Sequence, residues 1–364
     1  MPKVSSFPLL VLFFLLPLYS FALEHPGGMH PKKQIAFVKK QIKQKQQPFY
    51  GAYLQLLAYA DSAFDQNIHA LPDFNVPGYY VDPAMHRANS KSLQSDAFNA
   101  YACALAFGLS GKEKYAKRSL DFLNAWATTN TRYSTDDGSL VMAYSGTAMM
   151  MAAELLYNYK GWRPEEREMY FTWVRNVYRK AANEIRTKKN NWADWGRFGS
   201  ILSAHLLDDQ AEITENIRLI KSDLFHKIAE DGHMPEEVRR QGNGIWYTYF
   251  SLAPITAACW VALQAEGTNL FTYQEGGRSI KTALDYMLHH NQHPDQWKWF
   301  ENPRTGSPHS WPGNLLEAMH GIYRDENYSS FVKEARPIIY PFHHFAWTFP
   351  TLMKPYLVYP LGYK

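Results

Sequence analysis

Two segments of the chain combine side chains that could neutralise an anion and move a proton. The first, residues 188–197, reads KKNNWADWGR and places an asparagine pair directly before aromatic residues. The second, residues 234–250, reads MPEEVRRQGNGIWYTYF and places two arginines before a glycine-containing bend and an aromatic helix start. Amide and guanidinium groups donate hydrogen bonds to carboxylates, and a phenol can give up or accept a proton. These segments are therefore the first candidates for a reactive site.

Both segments also have an ordinary structural interpretation. Asn190 or Asn191 could cap the helix that follows, and Asp194 lies three residues after Asn191, as in a capping box. Glu236 and Glu237 could pair with the neighbouring arginines at the surface, where an ion pair contributes little stability. The tyrosines beyond them would then be core residues, so neither segment is decisive alone.

Aromatic residues are abundant, with 11 Trp and 24 Tyr in the chain. An aromatic face beside hydrogen-bonding side chains is a surface on which a sugar ring can stack. The alternative is that a large helical protein uses the same residues for packing. The aromatic residues that lie beside Gly, Asn or Arg rather than in helical stripes are Trp192, Trp195, Trp246, Tyr247, Tyr249, Trp297, Trp299 and Trp311.

Helices must position these side chains, because apolar residues recur at spacings of three and four through most of the chain. Alternating strand patterns are nearly absent, and Gly and Pro mark the breaks. The predicted helices cover residues 31–46, 48–65, 92–109, 112–128, 140–158, 164–186, 192–206, 210–230, 244–264, 276–290, 312–323 and 327–336.

These helices predict an all-α fold. A ring of antiparallel helix pairs, an (α/α) toroid or incomplete barrel, buries two sides of many helices and leaves a cleft at one end. No linker divides the chain, so we expect one domain over residues 23–364.

The first 22 residues have the pattern of a secretory signal peptide. Lys3 gives a positive start, residues 9–18 are mostly Leu, Val and Phe, and Ser20 and Ala22 occupy the −3 and −1 positions of a cleavage site. A secreted or periplasmic protein is therefore expected. No later apolar run is long enough to cross a membrane.

Composition excludes several classes of protein. A chain with 46% hydrophobic and 15% aromatic residues is not disordered, and two cysteines exclude a four-cysteine zinc module. Cys103 and Cys259 could form a disulfide or remain two buried thiols. The formal charge of +4, or +3 without Lys3, includes no long basic stripe, so nucleic acid is not an expected partner. We expect no metal, no cofactor and a monomer.

Together the two segments resemble the alginate lyase superfamily of polysaccharide lyases, families five and thirty-eight among them. The family's Asn-Asn-His-x-x-Trp segment is similar to residues 190–195, and its arginine loop and catalytic tyrosine are similar to Arg240 and Tyr247. Further similarity lies in residues 25–30 and 97–126. The resemblance implies an (α/α) toroid that cleaves an anionic polysaccharide, a uronic-acid polymer such as alginate or glucuronan, by β-elimination.

The resemblance also implies roles for individual residues. Tyr247 would serve as base and acid, while Asn191 and Arg240, helped by Arg239, would neutralise the uronate carboxylate. A neighbouring arginine should lower the pKa of the tyrosine. The expected substrate-binding residues are Trp192, Trp195, Tyr249, Trp246, His309 and Trp311.

One residue departs from the family pattern. Trp192 follows the second asparagine, where family five has the histidine that serves as base for one uronate epimer. Either Tyr247 acts alone or another histidine assists, with His205, His233 and His309 as candidates.

The sequence also allows two other functions. A glycoside hydrolase on the same toroid would need two carboxylates across the scissile bond, recruited from Asp96, Asp136, Asp194 and Glu236. A non-catalytic protein would use the aromatic residues to hold a glycan without cleaving it.

Overall fold

The computed structural model describes residues 23–359, so the predicted signal peptide lies outside the described residues. Within them the chain is mostly helical. The α-helices are α1 Lys32–Lys43, α2 Phe49–Ser62, α3 Pro83–Ser110, α4 Glu113–Thr129, α5 Gly138–Leu155, α6 Pro164–Trp173, α7 Arg179–Ile185, α8 Asn191–Leu206, α9 Gln210–Lys227, α10 Pro235–Val238, α11 Gly244–Glu266, α12 Ile280–Gln292, α13 Gly313–Tyr323 and α14 Glu326–Val332.

Four long helices form an inner layer. Helix α3 packs on α5, α5 on α8 and α8 on α11, while α4, α7, α9 and α12 pack outside them. Helix α5 is buried along its whole length, because its sequence, GSLVMAYSGTAMMMAAEL, is mostly apolar or small on every side, with Glu154 as its charged residue. A helix that is apolar all round must be covered on all sides. The predicted (α/α) toroid is confirmed.

Several helix bounds differ from the sequence prediction. Helix α3 begins at Pro83 rather than near residue 92, since the Asp82 side chain accepts the Met85 N–H at 2.9 Å and proline suits a first helical position. The predicted helix over 164–186 contains a π-helical segment, Val174–Tyr178, between α6 and α7. The four-residue helix α10 was not predicted.

Two short two-stranded sheets lie in the loops between helices. Strand β1, Asp73–Asn75, runs parallel to β2, Arg132–Ser134, with Phe74 opposite Tyr133. Strands β3, Gln274–Glu275, and β4, Arg278–Ser279, form a small antiparallel pair. The first pair fixes the start of the loop over residues 76–82.

The structure shows the state of the two cysteines and whether any described helix could span a membrane. Cys103 and Cys259 are both free and buried, so they form no disulfide. Among residues 23–359, no helix is both long and apolar enough to cross a membrane.

Candidate active site

A large cleft opens at the amino-terminal ends of the four inner helices. Its volume is about 1430 Å³, and it is lined by the first half of α3, the starts of α5, α8 and α11, and several loops between helices. Among the loop residues in the lining are residues 78–81, Arg304, Ser310, Trp311 and residues 340–343. Because the unpaired N–H groups and the positive dipole ends of helices lie at their amino termini, this end of the toroid favours an anion.

Asn190 and Asn191 form different hydrogen bonds. The side-chain oxygen of Asn190 accepts the Trp192 N–H at 3.2 Å, which is the predicted helix cap. Asn191 donates its backbone N–H and its side-chain Nδ2 to the two carboxylate oxygens of Glu237, each at 2.8 Å. Asn191 and Trp192 both line the cleft.

Glu237 is buried rather than paired at the surface. Only 1% of the residue is exposed, and burial raises the pKa of its carboxyl to about 7, with Asn191 opposing the shift and the charge of Asp194 adding to it. Glu236 follows the surface interpretation instead, since it accepts from Arg239 at 3.0 Å. Glu237 therefore joins the two sequence segments.

A buried ion pair between Lys227 and Asp194 lies next to Asn191 and Glu237 and stabilises the start of α8. The Lys227 ammonium lies 2.7 Å from one oxygen of Asp194, and Ser251 donates to the other at 2.5 Å. Lys227 also donates to the Asn190 carbonyl at 3.1 Å. Asp194 is thus committed to holding the start of α8 and is not among the cleft-lining residues.

Tyr247 and Arg240 face each other in the cleft. The guanidinium carbon of Arg240 lies 4.9 Å from the centre of the Tyr247 ring, and both residues line the cleft with Asn191. Burial, followed by the charge and hydrogen bond of Tyr80, raises the pKa of Tyr247 to about 12, while Arg240 lowers it. The expected effect of the arginine is present, but burial and Tyr80 outweigh it. The expectation of a lowered pKa is therefore corrected.

The structure places Trp195 and Tyr249 in the core, which corrects the expectation that they bind substrate. The Tyr249 hydroxyl donates to Asn314 at 3.0 Å and lies 3.0 Å from Nε2 of His344. Trp195 packs against Phe250 with ring centres 5.1 Å apart. Neither residue has exposed surface, because each is packed against His344 and other buried rings.

Arg239 and His309 lie outside the cleft as well. The Arg239 side chain is exposed and paired with Glu236, one position away from the arginine that enters the cleft. His309 is exposed, whereas the following Ser310 and Trp311 line the cleft. Of the predicted binding aromatics, Trp192, Trp246 and Trp311 remain.

Most of the cationic residues that line the cleft carry no recognisable motif in the sequence. Five basic residues face the cleft, and none of them forms a salt bridge among residues 23–359. The guanidinium of Arg304 lies 5.6 Å from the Trp246 ring and 5.4 Å from the Trp311 ring. Its position in the Pro- and Gly-containing loop 302–312 was the only signal in the sequence. The five are Arg87, Lys91, Lys188, Arg240 and Arg304.

The histidines of the cleft are not those proposed from sequence. His205 and His233 lie elsewhere, whereas His86 and His343 line the cleft. His343 stacks on Tyr144 with ring centres 4.9 Å apart, and its φ of +68° is rare for a residue with a side chain. Burial, helped by the charges of His86 and Arg304, lowers the pKa of His343 to about 4, so its ring is neutral.

The carboxylates considered for hydrolysis are mostly committed to other bonds. Asp96 is fully buried and accepts from the Trp126 indole at 2.8 Å and from the His69 N–H at 2.7 Å. Asp194 is paired with Lys227, and Glu236 is paired with Arg239. Of the four carboxylates, only Asp136 lines the cleft. A pair of carboxylates placed across a substrate is therefore not formed from this set.

Comparison with known proteins gives the family. The alginate lyase family matches residues 37–297, more than half of the chain. A curated polysaccharide lyase from Stenotrophomonas maltophilia (strain K279a) is 22% identical over 205 residues, which cover 50% of this chain and 60% of that protein. The matched region thus spans less than two thirds of that relative.

Solved structures share the fold. An alginate lyase from Bacteroides ovatus has a TM-score of 0.71 at 20% identity, over 86% of this chain and 96% of that one. Alginate lyase A1-III from Sphingomonas species A1 has a TM-score of 0.69 at 17% identity, over 80% of this chain and 87% of that one. The family match over residues 37–297 and the shared helical toroid lead to one conclusion: the chain belongs to the alginate lyase family.

Proposed function

We propose that the protein is a polysaccharide lyase that cleaves a uronic-acid polymer by β-elimination and leaves a 4,5-unsaturated sugar end. Family membership supports lyase chemistry. The observation that carries the proposal is the meeting of the Tyr247 phenol, the Arg240 guanidinium and the Asn191 amide in one cleft.

The lining of the cleft supports an anionic polymer as the substrate. Five cationic side chains without carboxylate partners among the described residues gain by meeting the charge of a polyuronate. Trp192, Trp246 and Trp311 supply flat apolar faces on which sugar rings can stack. The cleft volume of about 1430 Å³ exceeds what one sugar needs, which fits a chain of several units.

Elimination requires that the charge of the substrate be reduced first. The C5 proton lies next to a carboxylate, and its removal would place a second negative charge beside the first. Donors aimed at that carboxylate stabilise the developing charge, each by about 3–4 kcal/mol. Arg240 supplies a charged donor, and Asn191 retains one amide hydrogen beyond the one that Glu237 accepts.

Tyr247 carries the proton in this proposal. Its phenolate oxygen takes the C5 proton, the C5–H electrons form the C4–C5 double bond, and the C4–O bond breaks. The phenol then protonates the departing O4 on the same face of the ring. Because burial raises the pKa of Tyr247 to about 12, the phenolate becomes more populated as the pH rises, so turnover should increase from neutral to alkaline pH.

Absorbance tests this function directly. The unsaturated product absorbs near-ultraviolet light, whereas binding or hydrolysis produces no such signal, so the protein is tested on mannuronate-rich, guluronate-rich and mixed alginate and on glucuronan. Tyr247→Phe should abolish the absorbance gain and retain polymer binding. The control Tyr273→Phe, on an exposed ring packed on Phe225, should behave as wild type. Absorbance gain with Tyr247→Phe would reject the proposed role.

A further inference from the structure

A second cluster of reactive groups lies at the other end of the toroid. His25, Glu154 and His205 are all at most 5% exposed, and one potential ligand atom from each lies within 4.8 Å of the other two. Glu154 lies ten residues after the cleft residue Tyr144 in α5, about 15 Å along the helix axis. The cluster is therefore separate from the cleft.

The spacing within the cluster matches metal ligation. Nδ1 of His205 lies 3.0 Å from Oε1 of Glu154, and Nδ1 of His25 lies 3.7 Å from the same oxygen. Ligand atoms of a tetrahedral zinc site lie about 3.3 Å apart, because each is about 2.0 Å from the metal. The two observed distances lie on either side of that value.

The direction of the imidazole nitrogens is a second, independent observation. Nδ1 of His25 and Nδ1 of His205 are buried and have no hydrogen-bond partner among the described residues, although a carboxylate oxygen lies close to both. Oε1 of Glu154 already accepts the N–H groups of Gly27 and Gly28, at 2.8 and 2.7 Å. Both imidazole nitrogens therefore face the Glu154 carboxylate at close range, and a metal ion or a proton shared with that carboxylate would join the three side chains.

The surroundings of the cluster favour a cation. Nε2 of His25 lies 3.2 Å from Oδ1 of Asp208, which is the carboxylate–histidine arrangement that orients metal-bound imidazoles. The Tyr157 ring stacks on His25 at 3.8 Å and fixes its plane. Glu154 and His205 occupy the carboxyl-terminal ends of α5 and α8, where the helix dipole is negative.

We propose that His25, Glu154 and His205 bind one divalent transition-metal ion of the zinc class, which joins the segment at residues 25–30 to the ends of α5 and α8. Borderline ligands such as imidazole and carboxylate suit this class of ion better than calcium or magnesium. The competing occupant is a proton on the imidazoles, with Glu154 as counter-ion. The site is structural, because it is buried and far from the cleft.

Zinc binding to the unmodified protein decides between metal and proton. After treatment with a chelator, one equivalent of Zn²⁺ should bind with a dissociation constant in the micromolar range or below and raise the unfolding temperature. Co²⁺ should give the intense visible absorption of a low-coordinate site with imidazole ligands. Binding should weaken as the pH falls, since protons compete for the imidazoles. Absence of a bound equivalent, or the weak spectrum of hydrated cobalt, would overturn the proposal.

Variants locate the metal. His205→Gln should weaken Zn²⁺ binding by at least about tenfold. The control is His289→Gln in the histidine-rich end of α12, where His289 instead lies 2.8 Å from Gln296. Equal zinc affinity in wild type and His205→Gln, or loss of binding in His289→Gln, would assign the zinc elsewhere. Turnover on polyuronate should be equal with and without zinc, so this test is independent of the lyase proposal.

Discussion

The buried carboxyl of Glu237 makes the stability of the folded protein depend on pH. This carboxyl accepts two hydrogen bonds from Asn191, and the nearest ammonium, on Lys227, is already bound to Asp194. Burial without a direct cationic partner disfavours the ionised form, which is why the pKa rises to about 7. A group whose pKa is higher in the folded than in the unfolded protein stabilises the fold at low pH, and this stability is lost as the pH rises through the folded value.

Glu237→Gln should remove that dependence. Between about pH 4.5 and pH 7 the wild type should lose about 3 kcal/mol of unfolding free energy relative to the glutamine variant, because glutamine does not ionise. Denaturant unfolding of both proteins across this pH range measures the difference. Parallel curves would mean that Glu237 ionises freely in the folded protein.

Arg240 and Arg239 form a natural pair of variant and control. Arg240→Ala should lower turnover by more than about tenfold, the scale of one lost charge-stabilising donor. Arg239→Ala should leave turnover unchanged, because its exposed side chain binds Glu236 outside the cleft. Initial rates on a responsive polyuronate measure both. Equal losses in the two variants would contradict the assignment of Arg240 as the neutralising residue.

Helix α8 controls how closely the inner and outer layers approach. A Cβ at Gly196 would lie 2.6 Å from the Ala182 carbonyl oxygen and 2.7 Å from the Arg186 N. These backbone atoms belong to α7 and its end, so they cannot move aside as a flexible side chain would. Close contact between α7 and α8 in turn fixes the start of α8, where Asn191 lies.

Gly196→Ala should therefore destabilise the protein by about 1–3 kcal/mol. Gly108→Ala in α3 is the matched control, because its new methyl group would meet only Leu155 at 3.7 Å, and alanine is the better helix former. It should stabilise slightly or have no effect. Thermal unfolding of the three proteins measures both changes, and a neutral Gly196→Ala would show that the layers separate easily.

The whole molecule brings together groups that are far apart in sequence. Four inner helices present their amino ends to the same cleft, so their dipoles add to the charges of the five basic side chains there. The loops that follow β1 and α12 supply Tyr80 and Arg304 to the same cleft. This arrangement gives the cleft its positive field, which a nearly balanced composition does not reveal.

The sequence by itself determined the helices and the family. Apolar spacing of three and four residues marks a helix wherever one face is buried, and the two motif segments are local enough to be recognised along the chain. Tyr247, Arg240 and Asn191 could be named for that reason, and the structure brings them into one cleft. The start of α3 was missed because its first turns are polar and half-exposed, which weakens the apolar pattern.

Only the tertiary structure decided which neighbouring residue enters the cleft. Arg239 and Arg240, or Trp195 and Trp192, differ by a rotation about a helix or a turn, and that rotation is set by packing against distant elements. The burial of Glu237 likewise depends on Asn191, 46 positions earlier. Local patterns fix which residues are available, but the direction of each side chain follows from long-range contacts that no single segment contains.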